Sequence, residues 1–183
     1  MDKDVVTDVT RRWVAEIVIG LNLCPFARRV FDAGLIRYVV TDAADDVGLL
    51  EALAAELMDL ASSDRPGVET TLLIHPRALP DFLDYNDFLG DANELVRDLD
   101  LEGVIQIASF HPDYRFAATA PGAVENYTNR SPYPMLHLLR EESISNIADD
   151  PDGLLEIPKR NVETLRTLGL KEILARLKSV TEP

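Results

Sequence analysis

One cysteine, Cys24, is all that this chain of 183 residues carries, so no internal disulfide can form and noncovalent packing must hold the fold. Histidine is almost as scarce, at three residues, and bases are outnumbered: 18 Lys+Arg stand against 32 Asp+Glu, a formal charge of -14. That balance repels nucleic-acid phosphates and anionic lipid heads, and no Lys/Arg cluster offers a local exception. Nucleic-acid and membrane-surface binding are therefore not expected. No run approaches the ~18 apolar residues of a membrane span. The opening MDKDVVTDVTRRW lacks the apolar stretch behind a basic head that marks a secretory signal. Repeats and low-complexity linkers are also missing. The expectation is a soluble, cytoplasmic protein whose acidity serves solubility.

The chain does hold enough apolar matter, 46% of its residues, to bury a core, and its length suits a single domain over 1–183. Residues 4–23 read as a helix, with Val6, Val9, Trp13, Ile17 and Leu21 on one face. Residues 35–40 have strand composition, broken by Arg37 in the manner of an edge strand. A helix opens at Asp45 and Asp46, and residues 62–67 read as a turn into a second strand over 68–74. Pro80 and Asp81 start the next helix, and a third strand spans 104–110. A helix is expected after Ser131 and Pro132, as cap and first position. A turn is expected at 150–153, then a C-terminal helical segment over 154–180, interrupted at Gly169. This alternation predicts an α/β domain with a small, largely parallel sheet of three or four strands flanked by helices.

Chemistry-bearing residues gather in the stretch from Ser109 to Glu141. His75 and His111 each end a strand and precede a proline, the position from which side chains reach the crevice at the carboxyl edge of a parallel sheet. They could act as acid and base near neutral pH or merely terminate two strands. Tyr114 follows close to the rim. Asn126, Asn129, Arg130 and Ser131 concentrate amide, guanidinium and hydroxyl donors able to grip a carboxylate or phosphate, although Asn and Ser in loops more often form turns. On the expected following helix, His137, Arg140 and Glu141 fall at one-turn spacing. Cys24, before Pro25, would cap a new helix, where unpaired N–H groups and the dipole lower a thiol's pKa; the plainer alternative is an inert, buried thiol.

Four segments together resemble a known bacterial family: NLCPFA around Cys24, Phe110-His111-Pro112, the run NYTNRSPYPMLHLLRE from Asn126, and Arg160-Asn161. The family is domain of unknown function 1415, and the similarity spans nearly the whole chain. The sequence departs from the family pattern at Ala118 and at Gly122-Ala123, where Gly and an acidic pair are expected. The resemblance implies that the motif residues travel together as an active site would, and it brings no activity.

The leading expectation is a small enzyme, a hydrolase or transferase, acting on an anionic metabolite. Cys24 or a water would be the nucleophile, His111 the base, and His75 or His137 a second proton carrier. Asn126, Asn129, Arg130 and Ser131, with Tyr114 and Arg140, would bind the substrate. Two alternatives stand beside it: a zinc site made by Cys24, His75, His111 and His137, and a non-catalytic module for a small anion or acidic peptide. The sequence assigns no cofactor and no oligomeric state.

Overall fold

Three apolar runs become strands where their composition places them: β1 (Ile36–Val40), β2 (Thr70–Ile74) and β3 (Ile105–Phe110). The structure, a computed structural model, describes residues 1–62, 67–145 and 151–182, without the side chains of 144, 145 and 151–155. A fourth strand, β4 (Met135–Arg140), occupies the segment expected to be helical. That expectation is overturned for a physical reason. Pro132 and Pro134 remove two N–H donors from what would be a first helical turn, and a residue before proline, here Tyr133, is pushed toward extended backbone. The run MLHLLR is then buried from both sides, so its continuous apolarity belongs to a central strand rather than to a helix stripe.

Among the described residues the sheet has the order β1-β2-β4-β3. β1 pairs parallel with β2, while β4 runs antiparallel to both β2 and β3. Strands β1, β2 and β3 therefore point one way, with β4 returning between the last two. The chain is an α/β fold built on a mixed four-stranded sheet. Arg37 sits on the β1 edge and makes a two-pronged pair with Glu56, at 2.9 and 3.2 Å, which ties that edge to the overlying helix.

Helices cover both faces. On one face α3 (Asp46–Ser62) and α4 (Phe82–Asp98) pack Leu53, Leu57, Tyr85 and Phe88 against Leu73, Leu136, Leu138 and Ile105. Asp81 caps α4, its carboxylate accepting from the N–H groups of Leu83 and Asp84. On the other face α1 (Lys3–Trp13), α6 (Pro151–Leu168) and α7 (Leu170–Thr181) pack Val6, Trp13, Leu165 and Ile173 against Leu72, Ile74 and Met135. Two short helices, α2 (Ala27–Asp32) and α5 (Glu141–Ser145), and a 3-10 turn, Val124–Thr128, are also among the described residues. Gly169, at φ +83°, breaks α6 from α7 in a conformation that a side chain would strain. The turn expected at 150–153 gives way to helix from Pro151, residue 150 itself lying outside the described residues, as do 63–66 of the earlier turn.

α1 runs on into a π-helical segment, Val14–Ile19, before the chain turns at Gly20 and Asn22, the latter at φ +52°. A methyl group at Gly20 would collide with the carbonyl of Glu16. Gly20→Ala is therefore expected to cost about 1–3 kcal/mol, because backbone rather than a pliable side chain must move. Urea titration of the variant checks this, and an unchanged midpoint would count against it. None of the described helices is long and apolar enough to cross a membrane.

Candidate functional site

Because β2 and β3 point the same way, their His-Pro exits emerge at one end of the sheet, and both rings turn inward against α4. His75 stacks on Tyr85 with centroids 5.8 Å apart, and His111 lies 5.1 Å from the same ring. Neither histidine has accessible surface. The Nδ1–H of His75 donates to the Ala78 carbonyl at 3.0 Å, leaving Nε2 buried without a partner. His111 accepts from the Asp113 N–H at Nδ1, so its proton sits on Nε2 and is donated to the Leu79 carbonyl at 3.2 Å. Burial pulls His75 down to about 4 and lowers His111 as well. The two rings pin the 75–79 turn, whose Leu79 holds φ +52°. Tyr85 binds the pair together, its hydroxyl donating to the Met135 carbonyl and accepting from the Phe110 N–H.

The donor-rich loop after His111 folds onto itself. Asn126 is fully buried, and its Oδ1 accepts from the Phe116 N–H and the Thr119 hydroxyl. Its Nδ2 donates to the carbonyls of Ala120 and Pro121. Asn129 reaches back to the Ser109 carbonyl at 3.1 Å, and the Ser131 hydroxyl donates to the Tyr133 carbonyl at 2.7 Å. Arg130 spends its guanidinium on the carbonyls of Tyr114 and Pro121 and lies over the Tyr127 ring, 4.4 Å from its centroid. The Tyr114 ring packs on Phe82 and Phe116. Asn126, Asn129, Arg130 and Ser131, expected to receive an anion, are thus engaged in bonds within the protein.

On the opposite face a cavity of about 340 Å³ opens between the π-helical segment and the sheet. Its walls are mainly apolar: Trp13, Val14, Val18 and Leu23 on one side, Leu72, Ala108 and Phe110 on the other. Cys24, His137 and Arg140 line it too. His137, central on β4, pairs with Leu72 in one neighbour and Ala108 in the other. Its contact with Thr70 fixes its proton. The Thr70 hydroxyl has one hydrogen and gives it to the Leu138 carbonyl at 2.6 Å, so at 2.7 Å it accepts from Nε2–H of His137. Nδ1 is then the bare nitrogen. His137 is deep inside the protein yet only half-buried by surface area, because its accessible face belongs to the cavity. Burial lowers its pKa to about 4.

Cys24 does not cap a helix, and its burial follows the plainer of the two expectations. The helix begins at Ala27 with Phe26 as its cap, not at Pro25, and runs for only six residues. Burial pushes the thiol above its ordinary value, outweighing the lowering by the Phe26 and Ala27 N–H groups and by the Arg160 charge. A raised thiol and a lowered imidazole both favour the uncharged pair. Of the cavity's cations, Arg29 faces Glu69 at 3.7 Å and Arg140 donates to the Leu60 carbonyl at 2.6 Å.

Over residues 5–175 the chain matches a family described as Protein of unknown function (DUF1415). The chain belongs to this family. No curated protein and no solved structure matches it. The segments that carried the resemblance to the family meet at the cavity, Phe110 forming part of its wall. Asn161 donates to the Leu23 carbonyl at 2.7 Å and Arg160 to that of Asn22, clamping the turn that presents Cys24, while β4 supplies His137.

The remaining family motif residues, His111 and the 126–131 run, lie elsewhere and brace a loop. The four residues expected to share zinc are thus divided, His75 and His111 against α4 and Cys24 with His137 in the cavity. Among the described residues no three His, Cys, Asp or Glu side chains are placed to hold a metal ion. Sequence reasoning passed over Thr70, Gln106 and Ser143, which also line the cavity. None belongs to a motif, and only the pairing of β2 with β4 brings Thr70 to His137.

Proposed function

We propose that this protein binds a compact, largely apolar small molecule in the cavity beneath the π-helical segment. The observation that carries the reading is the lining: an apolar wall interrupted by a few converging polar groups, in a volume of about 340 Å³. Small-molecule sites have this make-up and run from roughly 300 to 1,000 Å³. A neutral ligand suits the site better than an anion, because the lining is mainly apolar and Glu69 already faces the Arg29 charge.

A second reading, an enzyme acting through Cys24 and His137, is favoured by the presence of both side chains in the lining of one cavity. It requires His137, once substrate is bound, to take the proton from a thiol that burial keeps protonated. In that reading His137 would be the base and Cys24 the nucleophile of a hydrolase or transferase.

Naphthalene and indole, tested as probes, are expected to raise the melting temperature by about 5–10 °C when saturating. They should also slow alkylation of Cys24 by iodoacetamide. Ala108→Trp, which fills the cavity, should abolish both effects. No protection of Cys24 by any apolar probe would sink the proposal. The enzymatic reading adds one demand: conversion of a bound ligand that disappears in both Cys24→Ser and His137→Gln.

A further inference from the structure

The proton arrangement around His137 says more about the ligand than the cavity's size does. The Thr70 hydroxyl is committed to the Leu138 carbonyl and so holds the Nε2–H of His137. The other ring nitrogen, Nδ1, makes no hydrogen bond with the described protein, yet it is not among the sealed-off buried atoms. On a central strand with helices over both faces, the surface open to it is the cavity.

An imidazole fixed in this tautomer presents a lone pair and no proton. We infer that the site selects a neutral, mainly apolar molecule bearing a hydroxyl, phenol-like or alcohol-like, whose O–H donates to Nδ1 of His137 while Thr70 holds the ring from behind. This rests on the cavity being a ligand site, as proposed above.

Two further observations agree. The depressed basicity of the ring keeps Nδ1 unprotonated at neutral pH, so it accepts rather than donates. Glu69 already faces the Arg29 charge, which weakens its pull on a carboxylate. A ligand that offers only acceptors would set its oxygen against the Nδ1 lone pair and leave both unpaired, which is where discrimination arises. Thr70 in this scheme is a positioning residue, acting through the ring it holds.

The test compares 1-naphthol with 1-methoxynaphthalene, which keeps the oxygen and the rings but lacks the proton. The expected result is that 1-naphthol binds about tenfold tighter to the full chain, as one extra satisfied buried hydrogen bond implies. Thr70→Val should erode this ratio while leaving methoxynaphthalene affinity nearly unchanged, a split that a merely structural role would not produce. His137→Leu should abolish the ratio. Should either variant fail to fold, nitrogen-15 spectra of the wild-type histidines decide instead: His137 should be the Nε2–H tautomer, with its Nδ1 signal moving on addition of 1-naphthol. Equal affinity for the two probes, or an Nδ1–H tautomer, overturns this inference alone. Failure of both probes to bind overturns the cavity reading beneath it.

Discussion

Acidification from neutral pH to about 4 is expected to strip about 6 kcal/mol from the folding stability, about 3 from each of His75 and His137. Burial holds both at about 4 in the fold, against an ordinary value of about 6.5 in the unfolded chain. Above about 6.5 both states are neutral and pH has no hold on these groups. Between that value and about 4 the unfolded chain takes up protons that the folded chain refuses, so stability falls with falling pH. His111, lowered in the same direction, adds to the loss.

A proton on His75 would go to Nε2, which has no acceptor within reach. The loss is comparable to the whole stability of a typical domain, roughly 5–15 kcal/mol. An opposing effect exists, since acid relieves the repulsion among charges summing to -14. That repulsion is spread over the surface and screened beyond about 8 Å at physiological salt, whereas the buried rings are not. Urea titrations at stepped pH in high salt should therefore show the midpoint dropping well before the carboxylates titrate. His137→Leu should remove about half of the dependence. A midpoint that stays flat between about 6.5 and about 4.5 refutes the account.

Local rules made most of this fold legible. Asp81 before Phe82 announces a helix start because a carboxylate there meets unpaired N–H groups, and the β-branched runs at 36–40 and 70–74 can only be strands. β4 escaped because a strand buried on both faces has no alternation, and its leucines imitate a helix stripe. The site was half legible for a related reason. Cys24, His137 and Arg140 stand out by residue type, yet their common cavity depends on which strand pairs with which. Likewise the ends of β2 and β3 are readable as a rim, but whether His75 and His111 face solvent or α4 follows from the register of each strand. Arg160 and Asn161 grip a turn 138 residues away, a contact that no local pattern encodes.

The asparagine–arginine run shows the same limit from the other side, and Asn126 makes it testable. Asn126→Asp is expected to cost about 3–5 kcal/mol, although it changes the side chain's shape hardly at all. The amide's Nδ2 donates to the carbonyls of Ala120 and Pro121, at 2.8 and 3.4 Å; a carboxylate would point a charge at those same oxygens. The group is fully buried, so water cannot take over the lost bonds. Arg130 leans on the same Pro121 carbonyl and on that of Tyr114, so loosening Asn126 should release the loop from residue 114 to 130 as a unit.

Amide hydrogen exchange would then quicken through that loop, and the melting temperature would fall by about 10 °C. An anion-binding role predicts a different outcome: unchanged stability in the variant, with a loss of stabilisation by phosphate or citrate that the wild type enjoys. The hydrogen bonds favour the first outcome, because Asn126, Asn129 and Arg130 already have carbonyls to serve. A variant that melts with the wild type would return these residues to the list of ligand contacts.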